Sequence, residues 1–330
     1  MLEVLRKYWN PIAKSEDVTK TPLARVMLGE ELVVWRGEDG KATVMKDLCI
    51  HRGAKFTAGG HVEGNNIVCP YHGWSYGCDG ACVKIPSLPA NAPIPEKAKT
   101  VVYPTREAFG LVWAAQSDSP EPFPAYLEAL DKDSKFRMFL VGVWDWKTSA
   151  GRMIENAMDF SHFNFVHQGY IELSDGPVIK PYPVERTETG LKFAYDDTHL
   201  LREYTLEFPF QIHDSKTIVN PEGGKTWSDQ GSGATGDKTI LSFIPTPMTE
   251  TTTRIYVFVT RNHSLDKPDS VFSEGFDAVM EQDRVIVESQ RPEKIPTDVK
   301  EELHMRVPDQ PAINYRRMLR ELGLNEAYMP

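Results

Sequence analysis

Three things are scarce in this sequence: cysteine, long apolar runs and net positive charge. Four cysteines in 330 residues are too few for a disulfide framework, which favours a reducing, cytoplasmic compartment. No stretch approaches about 18 uninterrupted apolar residues, and the start MLEVLRKYWN lacks the apolar core of a secretory signal. We therefore expect a cytoplasmic protein with no membrane association.

The charge balance is acidic, with 37 Lys and Arg against 47 Asp and Glu and a formal net charge of −10. A groove that follows nucleic acid phosphates needs the opposite sign, so nucleic acid is not an expected partner. A length of 330 residues exceeds one average domain and predicts two domains with cores of their own.

Short strands dominate the pattern of residues 1–115. Residues 76–83 surround Asp79-Gly80, a dipeptide that is a strong β-hairpin signal. The proline-rich segment 86–99 predicts an extended connection rather than a helix. The first domain is therefore expected to consist of β-strands.

A composition change at 116–126, QSDSPEPFPAY, marks the candidate domain boundary, because three prolines interrupt the pattern there. We expect the first domain at 1–120 and the second at 121–330. The second domain has predicted elements of mixed type: a strand at 136–147, helices at 150–162, 272–290 and near 311–323, antiparallel strands over about 184–262, and a mobile loop at 221–238.

The strongest chemical pattern is Cys49-x-His51 followed by Cys69-x-x-His72. A Cys2His2 zinc site uses the same ligand types and is the alternative, although zinc modules commonly supply Cys-x-x-Cys from one loop. The pattern resembles the Rieske [2Fe–2S] signature. That resemblance implies that Cys49 and Cys69 ligate one iron and that His51 and His72 ligate the other.

The loops also indicate which Rieske type is present. Respiratory and photosynthetic Rieske proteins cross-link the two loops with an added cysteine pair, whereas Tyr71 stands before His72 here and no cysteine follows Ile50 in HRGAK. The oxygenase or ferredoxin variety is therefore indicated. Cys78 and Cys82 flank the predicted hairpin turn and are interpreted as ordinary thiols.

A second pattern lies in GRMIENAMDFSHFNFVHQG, residues 151–169. On a helix, Glu155, Asp159 and His162 share one face. His167 is five residues beyond His162, so the two imidazoles can converge only if the helix ends or distorts between them. The alternative is that both histidines pack in an aromatic cluster with Phe160, Phe163 and Phe165.

Asp283 lies within a predicted apolar helix stripe, where an unpaired carboxylate is costly to bury. The stripe consists of Phe276, Val279, Met280, Ile286 and Val287. A salt bridge from Asp283 to Arg152 or Arg284 is one explanation. The other is a facial triad of two imidazoles and one carboxylate, formed with His162 and His167, that holds Fe(II) and leaves positions open for O2.

Taken together, the chain resembles the oxygenase component of Rieske non-haem iron oxygenases. The family pattern Asn-x-x-Asp-x-x-His-(x)4-His with a distant Asp matches Asn156, Asp159, His162, His167 and Asp283. The resemblance implies an α+β protein with an N-terminal all-β Rieske domain and a C-terminal helix-grip domain built on an antiparallel sheet. It also implies that Asp159 connects the mononuclear site to His72 of an adjacent subunit.

The resemblance further implies one Rieske [2Fe–2S] cluster and one mononuclear Fe(II) per chain, with O2 as co-substrate. Electrons would come from NAD(P)H through a ferredoxin or flavin reductase. The chain is similar to the homotrimeric branch with vanillate O-demethylase, dicamba demethylase and toluenesulfonate monooxygenase, so we expect demethylation or monooxygenation of a small, aromatic substrate in aromatic compound catabolism. Asn156, Phe163 and Phe243 are the candidate pocket residues, and for Phe243 plain core packing is the alternative.

Three other functions remain open from the sequence. Within the same family, the chain is alternatively a ring-dihydroxylating dioxygenase or a steroid-type monooxygenase. From a different class, it is a non-catalytic Rieske electron carrier, a function that loss of a triad ligand would favour.

Overall fold

The chain divides into two compact units, of which one is Leu5–Phe123 and the other contains the chain from Pro124 onward. This division lies between the prolines of 116–126, and domain limits at residues 120 and 121 stay a prediction. The structure, a computed structural model, describes residues 3–89, 91–222 and 233–324. Every helix in those ranges is too short or too polar to cross a membrane.

The first unit consists of short antiparallel strands. They form sheets of order β1-β11-β10, β2-β3-β4-β9 and β5-β6-β7-β8. The strands are β1 Asn10–Lys14, β2 Leu23–Met27, β3 Glu30–Arg36, β4 Ala42–Lys46, β5 His61–Glu63, β6 Asn66–Val68, β7 Ser75–Gly77, β8 Cys82–Lys84, β9 Val102–Tyr103, β10 Thr105–Ala108 and β11 Leu111–Ala114.

The predicted hairpin forms between β7 and β8, and Asp79 caps its turn by accepting a hydrogen bond from the Ala81 amide. Gly80 has a φ of +79°, and a Cβ there would lie 2.4 Å from the carbonyl oxygen of Thr100. Only glycine suits this position, since it tolerates positive φ and a close backbone approach.

The second unit is built on one strongly paired sheet with helices beside it. Its strand order is β12-β18-β17-β16-β15-β14-β13, and each neighbouring pair is antiparallel. The strands are β12 Arg137–Trp146, β13 Val184–Arg186, β14 Gly190–Asp196, β15 Leu200–Glu207, β16 Gln211–Ile218, β17 Lys238–Pro247 and β18 Thr253–Arg261. The helices are α1 Ala125–Lys132, α2 Ala150–Met158, α3 Phe163–Val166, α4 Ser270–Ser273, α5 Phe276–Val287 and α6 Gln310–Glu321.

Helix α5 packs its apolar face on this sheet. Phe276, Met280 and Val287 of α5 are buried against Val257 and Val259 of β18. Each such side chain contributes about 1.5–3 kcal/mol when it is fully buried. An all-β first unit and an antiparallel sheet with few helices in the second confirm the predicted α+β fold.

Two predicted helices differ from the observed ones. The helix predicted at 150–162 ends at Met158, because Asp159 is extended and its side chain accepts hydrogen bonds from the Ser161 amide and hydroxyl. Such a local side-chain turn competes with helical hydrogen bonds. The helix predicted at 272–290 is interrupted at Gly275, whose φ of +85° separates α4 from α5.

Other details of the sequence interpretation need correction. Ile286 is 49% exposed and therefore does not belong to the apolar stripe of α5. The prediction that Glu155, Asp159 and His162 share one helix face is wrong, because the helix ends before Asp159. Part of the predicted mobile loop, residues 223–232, lies outside the described residues.

Candidate metal centres

The first cysteine–histidine loop closes on itself through its backbone. The Cys49 amide donates to the Ala54 carbonyl at 2.8 Å, and the Gly53 amide donates to the Cys49 carbonyl at 2.9 Å. Gly53 has a φ of +72°, which lets the chain reverse just after His51. The loop thus presents a thiol and an imidazole from one tight turn.

The second loop repeats the same hydrogen bonds although its ligand spacing is one residue longer. The Cys69 amide donates to the Trp74 carbonyl at 2.8 Å, and the Gly73 amide donates to the Cys69 carbonyl at 3.0 Å. Gly73 has a φ of +70° and follows His72 directly. Two equivalent loops therefore each supply one sulfur and one ring nitrogen.

The loop side chains meet as a single donor set. Cys49 and Cys69 are 1% and 2% exposed, and the rings of His51 and His72 lie 4.5 Å apart. Burial raises the pKa of the Cys69 thiol, and the adjacent Cys49 raises it further. Cys49 and Cys69 together would hold a metal as thiolates, which would remove this penalty, since coordinated thiols are deprotonated.

His51 gives the clearest indication that this donor set binds a further group. Its ring stacks on Trp74 at 4.3 Å, and its buried Nδ1 has no hydrogen-bond partner among the residues that the structure describes. A buried polar atom without a partner is costly unless something binds it. The donor set therefore fits a [2Fe–2S] cluster.

The other two cysteines lie outside this set. Cys78 Sγ is 3.5 Å from the Asn65 carbonyl oxygen, and Cys82 Sγ is 3.5 Å from the Lys84 carbonyl oxygen. Both make weak contacts within the hairpin sheet. This agrees with their interpretation as ordinary thiols.

In the second unit, His162, His167 and Asp283 converge on one point. The two Nε2 atoms are 3.3 Å apart, and Asp283 Oδ1 lies 3.4 Å from His162 Nε2 and 3.2 Å from His167 Nε2. Three ligand atoms about 2.1 Å from one ion form a triangle of this size. The donor set fits a single divalent iron of the two-histidine, one-carboxylate type.

The convergence depends on the helix break that the spacing requires. Helix α3 is a single turn, His162 immediately precedes it and His167 immediately follows it. Both imidazoles can therefore turn toward α5, where Asp283 lies. A continuous helix would have placed the two rings on different faces.

The remaining ring nitrogens are each held by a hydrogen bond. His162 Nδ1 donates to Asp159 Oδ2 at 3.1 Å, and His167 Nδ1 donates to Gln282 Oε1 at 2.9 Å. These bonds hold the proton on Nδ1 and leave Nε2 available to a metal, as is usual for metal-bound histidines. Gln282 was missed from the sequence, where its only signal is adjacency to Asp283.

The electrostatics of the triad favour a bound positive charge. Burial lowers the pKa of His162, but hydrogen bonds to Asp159 and Asp283 outweigh it and raise that pKa to about 9. Burial raises the pKa of Asp283, but hydrogen bonds to His162 and His167 outweigh it and lower that pKa to about 2. The site thus holds a proton tightly in the same place where a cation fits.

The salt-bridge explanation for Asp283 is wrong, because both candidate arginines have other partners. Arg152 pairs with Glu302 at 2.6 Å, and Arg284 pairs with Glu281 and Glu288 at 2.5 and 2.8 Å. Glu155 likewise lies outside the triad, since its carboxylate accepts two hydrogen bonds from Arg316.

The triad forms part of the wall of a pocket of about 570 Å³, a volume that includes its open mouth. The candidate pocket residues Asn156, Phe163 and Phe243 all line it. The other lining residues are mostly apolar: Trp146, Met153, Ala157, Ile171, Asp214, Lys216, Leu241, Phe276, Val279 and Met280.

Family comparisons agree with these two centres. Residues 8–103 match the Rieske [2Fe-2S] domain, and residues 146–325 match the vanillate O-demethylase oxygenase C-terminal domain. The chain belongs to the Rieske non-haem iron oxygenases and is an oxygenase component. It is an oxidoreductase that uses a Rieske cluster, a mononuclear iron and O2, and it receives electrons from a reductase.

Several named members of this family are similar to the chain over nearly its whole length. Methylxanthine N1-demethylase NdmA of Pseudomonas putida is 32% identical over 97% of this chain and 90% of its own length. A solved structure of NdmA with caffeine has a TM-score of 0.83 at 31% identity, over 99% of this chain and 92% of that one. A putative toluene-4-sulfonate monooxygenase iron-sulfur subunit, TsaM2 of Comamonas testosteroni, is 27% identical over 98% of this chain and 94% of its own.

Dicamba monooxygenase bound to dicamba shares the fold, with a TM-score of 0.78 at 21% identity over 98% of this chain and 99% of that one. NdmA is named as a demethylase, and TsaM2 as a subunit of a putative monooxygenase system. This confirms the predicted class of activity.

Proposed function

We propose that this chain is the terminal oxygenase of a system that demethylates or hydroxylates a small aromatic or heteroaromatic substrate. The observation that carries the proposal is the triangle of His162, His167 and Asp283 atoms in the wall of a largely apolar pocket. Relatives named as N-demethylases and as an O-demethylase favour removal of a methyl group.

We assign the metal ligands as follows. The mononuclear iron is held by His162, His167 and Asp283. The Rieske cluster is held by Cys49, His51, Cys69 and His72. Bound at the triad, the iron supplies the activation of O2.

The chain's own residues orient the reaction. Asp159 and Gln282 keep the Nδ1 protons in place, so that both Nε2 atoms face the ion. Phe163 and Phe243 exclude water from the pocket, and Asn156 offers an amide to the substrate. Hydroxylation of an O- or N-methyl carbon gives a hemiacetal or hemiaminal, which releases formaldehyde.

The test is substrate-dependent O2 uptake with a generic reductase across methoxy-, N-methyl- and methyl-aromatic compounds. We expect formaldehyde in proportion to O2 consumed for at least one methoxy or N-methyl compound. Production of cis-diols without formaldehyde would instead identify a ring-dihydroxylating enzyme. Cluster reduction without O2 uptake for any compound would identify an electron carrier.

The assembly is part of the same proposal. By resemblance to the homotrimeric branch, we infer a homotrimer in which Asp159 reaches His72 of the partner subunit. We expect a ferredoxin or flavin reductase as donor and a cytoplasmic location. Light scattering of the purified protein tests the trimer, and a monomer that turns over at full rate would exclude it.

A further inference from the structure

The carboxylate of Asp159 is held from two sides. His162 Nδ1 donates to Asp159 Oδ2 at 3.1 Å, and the Ser161 amide donates to Asp159 Oδ1 at 2.8 Å. The Ser161 hydroxyl donates to the same Oδ1. The two oxygens therefore have different partners, and Ser161 provides both of the donors that reach Oδ1 from the described part of the chain.

The hydroxyl of Ser161 is not needed for the turn that ends α2. The amide of residue 161 makes that turn with Asp159 whatever side chain the residue carries. One donor at one oxygen leaves an aspartate carboxylate free to rotate, because the torsion about its Cβ–Cγ bond is broad and roughly two-fold. A second donor at Oδ1 keeps that oxygen toward Ser161 and Oδ2 toward His162. The hydroxyl therefore acts on the orientation of the carboxylate.

The three hydrogen bonds also decide which acceptor position of Asp159 stays open. Each carboxylate oxygen accepts about two hydrogen bonds. Ser161 fills both positions at Oδ1, and His162 fills one at Oδ2. The Asp159 side chain is 37% exposed, so a donor from outside the chain can reach it. Such a donor would bind at Oδ2, the oxygen that already holds His162.

Resting on the proposed oxygenase function, we propose that Ser161 is a positioning residue that acts through Asp159. Its hydroxyl holds Oδ1, so that Oδ2 faces the His162 ring and keeps Nε2 of that ring available to the mononuclear iron. It also confines the connection between the two metal centres to the single oxygen Oδ2. Loss of the hydroxyl should therefore weaken both the iron site and the connection.

The affinity of the triad for Fe(II), measured by competition with a chelator, tests the proposal without turnover. The matched variants are Ser161→Thr and Ser161→Val, which have the same shape and differ in the hydroxyl. We expect Ser161→Thr to bind iron like the unaltered protein. Ser161→Val should bind it about 3- to 10-fold more weakly, a smaller loss than the ~10- to 100-fold caused by removing the direct partner of a metal-bound histidine.

A second measurement follows the connection. Single-turnover reoxidation of the reduced Rieske cluster should be slower for Ser161→Val and unchanged for Ser161→Thr, because a carboxylate that rotates holds Oδ2 in place for only part of the time. The control is Thr198→Val, which removes a hydroxyl that donates to Asp175 Oδ1 at 2.8 Å and involves no proposed metal ligand. It should change neither quantity. If Ser161→Val fails to fold, Ser161→Ala takes its place, since it keeps the backbone amide and is smaller than serine.

A double-mutant cycle shows whether Ser161 acts through Asp159. In the Asp159→Ala background we expect Ser161→Val to cause no further loss of iron affinity, since the partner of the hydroxyl is gone. An equal loss in both backgrounds would mean that the effect does not pass through Asp159 and would overturn the proposal. Equal iron affinities of Ser161→Thr and Ser161→Val would overturn it as well.

The outcomes separate this proposal from the proposed function. If Ser161→Val loses iron affinity as expected but no compound supports O2 uptake, the positioning role stands and the oxygenase proposal fails. If a compound supports O2 uptake while both Ser161 variants bind iron and reoxidise like the unaltered protein, the oxygenase proposal stands and the positioning role fails.

Discussion

The two metal centres are assembled in opposite ways. The proposed cluster ligands all lie within residues 49–72, on two loops that each close through their own backbone hydrogen bonds. The proposed triad ligands span residues 162 to 283 and come from both ends of one helical turn and from a distant helix. A local motif predetermines its geometry, whereas a dispersed one depends on how the elements pack.

The centres also differ in the ring nitrogen that they leave available. In His162 and His167 the Nδ1 atoms are engaged by Asp159 and Gln282, which leaves Nε2 for the metal. In His51 it is the buried Nδ1 that has no partner among the described residues. At the triad, hydrogen bonds select the histidine tautomer. At the cluster loops, loop geometry and stacking on Trp74 orient the His51 ring.

The largest expected effect comes from breaking the local centre. Cys69→Ser should abolish the red-brown Rieske colour and all reductase-driven turnover, because the cluster loses a thiolate that a hydroxyl cannot replace. Iron at the triad should persist, since the second unit shares none of these residues. Visible absorption together with iron analysis measures both.

Cys78→Ser is the matched control and should keep its colour, as that thiol contacts only a backbone carbonyl. Unaltered protein that is colourless and holds one zinc per chain would contradict the cluster assignment.

Breaking the dispersed centre should give the complementary result. Asp283→Ala should lose the mononuclear iron and turnover but keep the Rieske spectrum, because a three-ligand site loses most of its affinity with one ligand. The loss should exceed the ~10- to 100-fold that removal of an outer hydrogen-bond partner causes. Metal analysis after dialysis measures it, and His162→Ala and His167→Ala should behave alike.

Asp277 provides the control on the same helix, since it accepts a hydrogen bond from Trp144 Nε1 at 3.0 Å and lies outside the triad. Asp277→Ala should retain iron. If Asp283→Ala retains full iron and turnover, the carboxylate ligand is a different residue.

A change at Asp159 should show whether this residue connects the two metal centres or supports the binding of the mononuclear iron. Asp159→Asn keeps the shape and removes the charge, so both metals should load and the trimer should form. Reductase should still bleach the cluster, but single-turnover reoxidation by O2 with substrate should slow by orders of magnitude. Loss of mononuclear iron, with normal reoxidation once iron is restored, would reduce Asp159 to a structural support.

The smallest expected effect concerns Gln282. Gln282→Leu removes the acceptor of the His167 Nδ1 proton and should weaken iron binding about tenfold, measured by competition with a chelator. Gln282→Glu keeps an acceptor and should restore most of the affinity. Equal affinities for all three proteins would show that the ring is held by packing alone.

Sequence periodicity predicted the order of the elements but failed at α2. A 3.6-residue repeat carries through 150–162, yet the Asp159 side chain binds the Ser161 backbone and ends the helix at Met158. Spacing alone showed that His162 and His167 require a break without showing where it lies. The break is a local competition between side-chain and backbone hydrogen bonds, which a periodic pattern does not register.

The sequence by itself determined the cluster motif, the strand-rich first unit and the residues that became the triad, because these depend on short-range spacing and on residue chemistry. Only the tertiary structure decided that Gln282 holds His167 and that Asp214 and Lys216 enter the pocket. Their positions depend on strand register and on how α5 packs against the sheet, and neither is encoded in the spacing of any one segment.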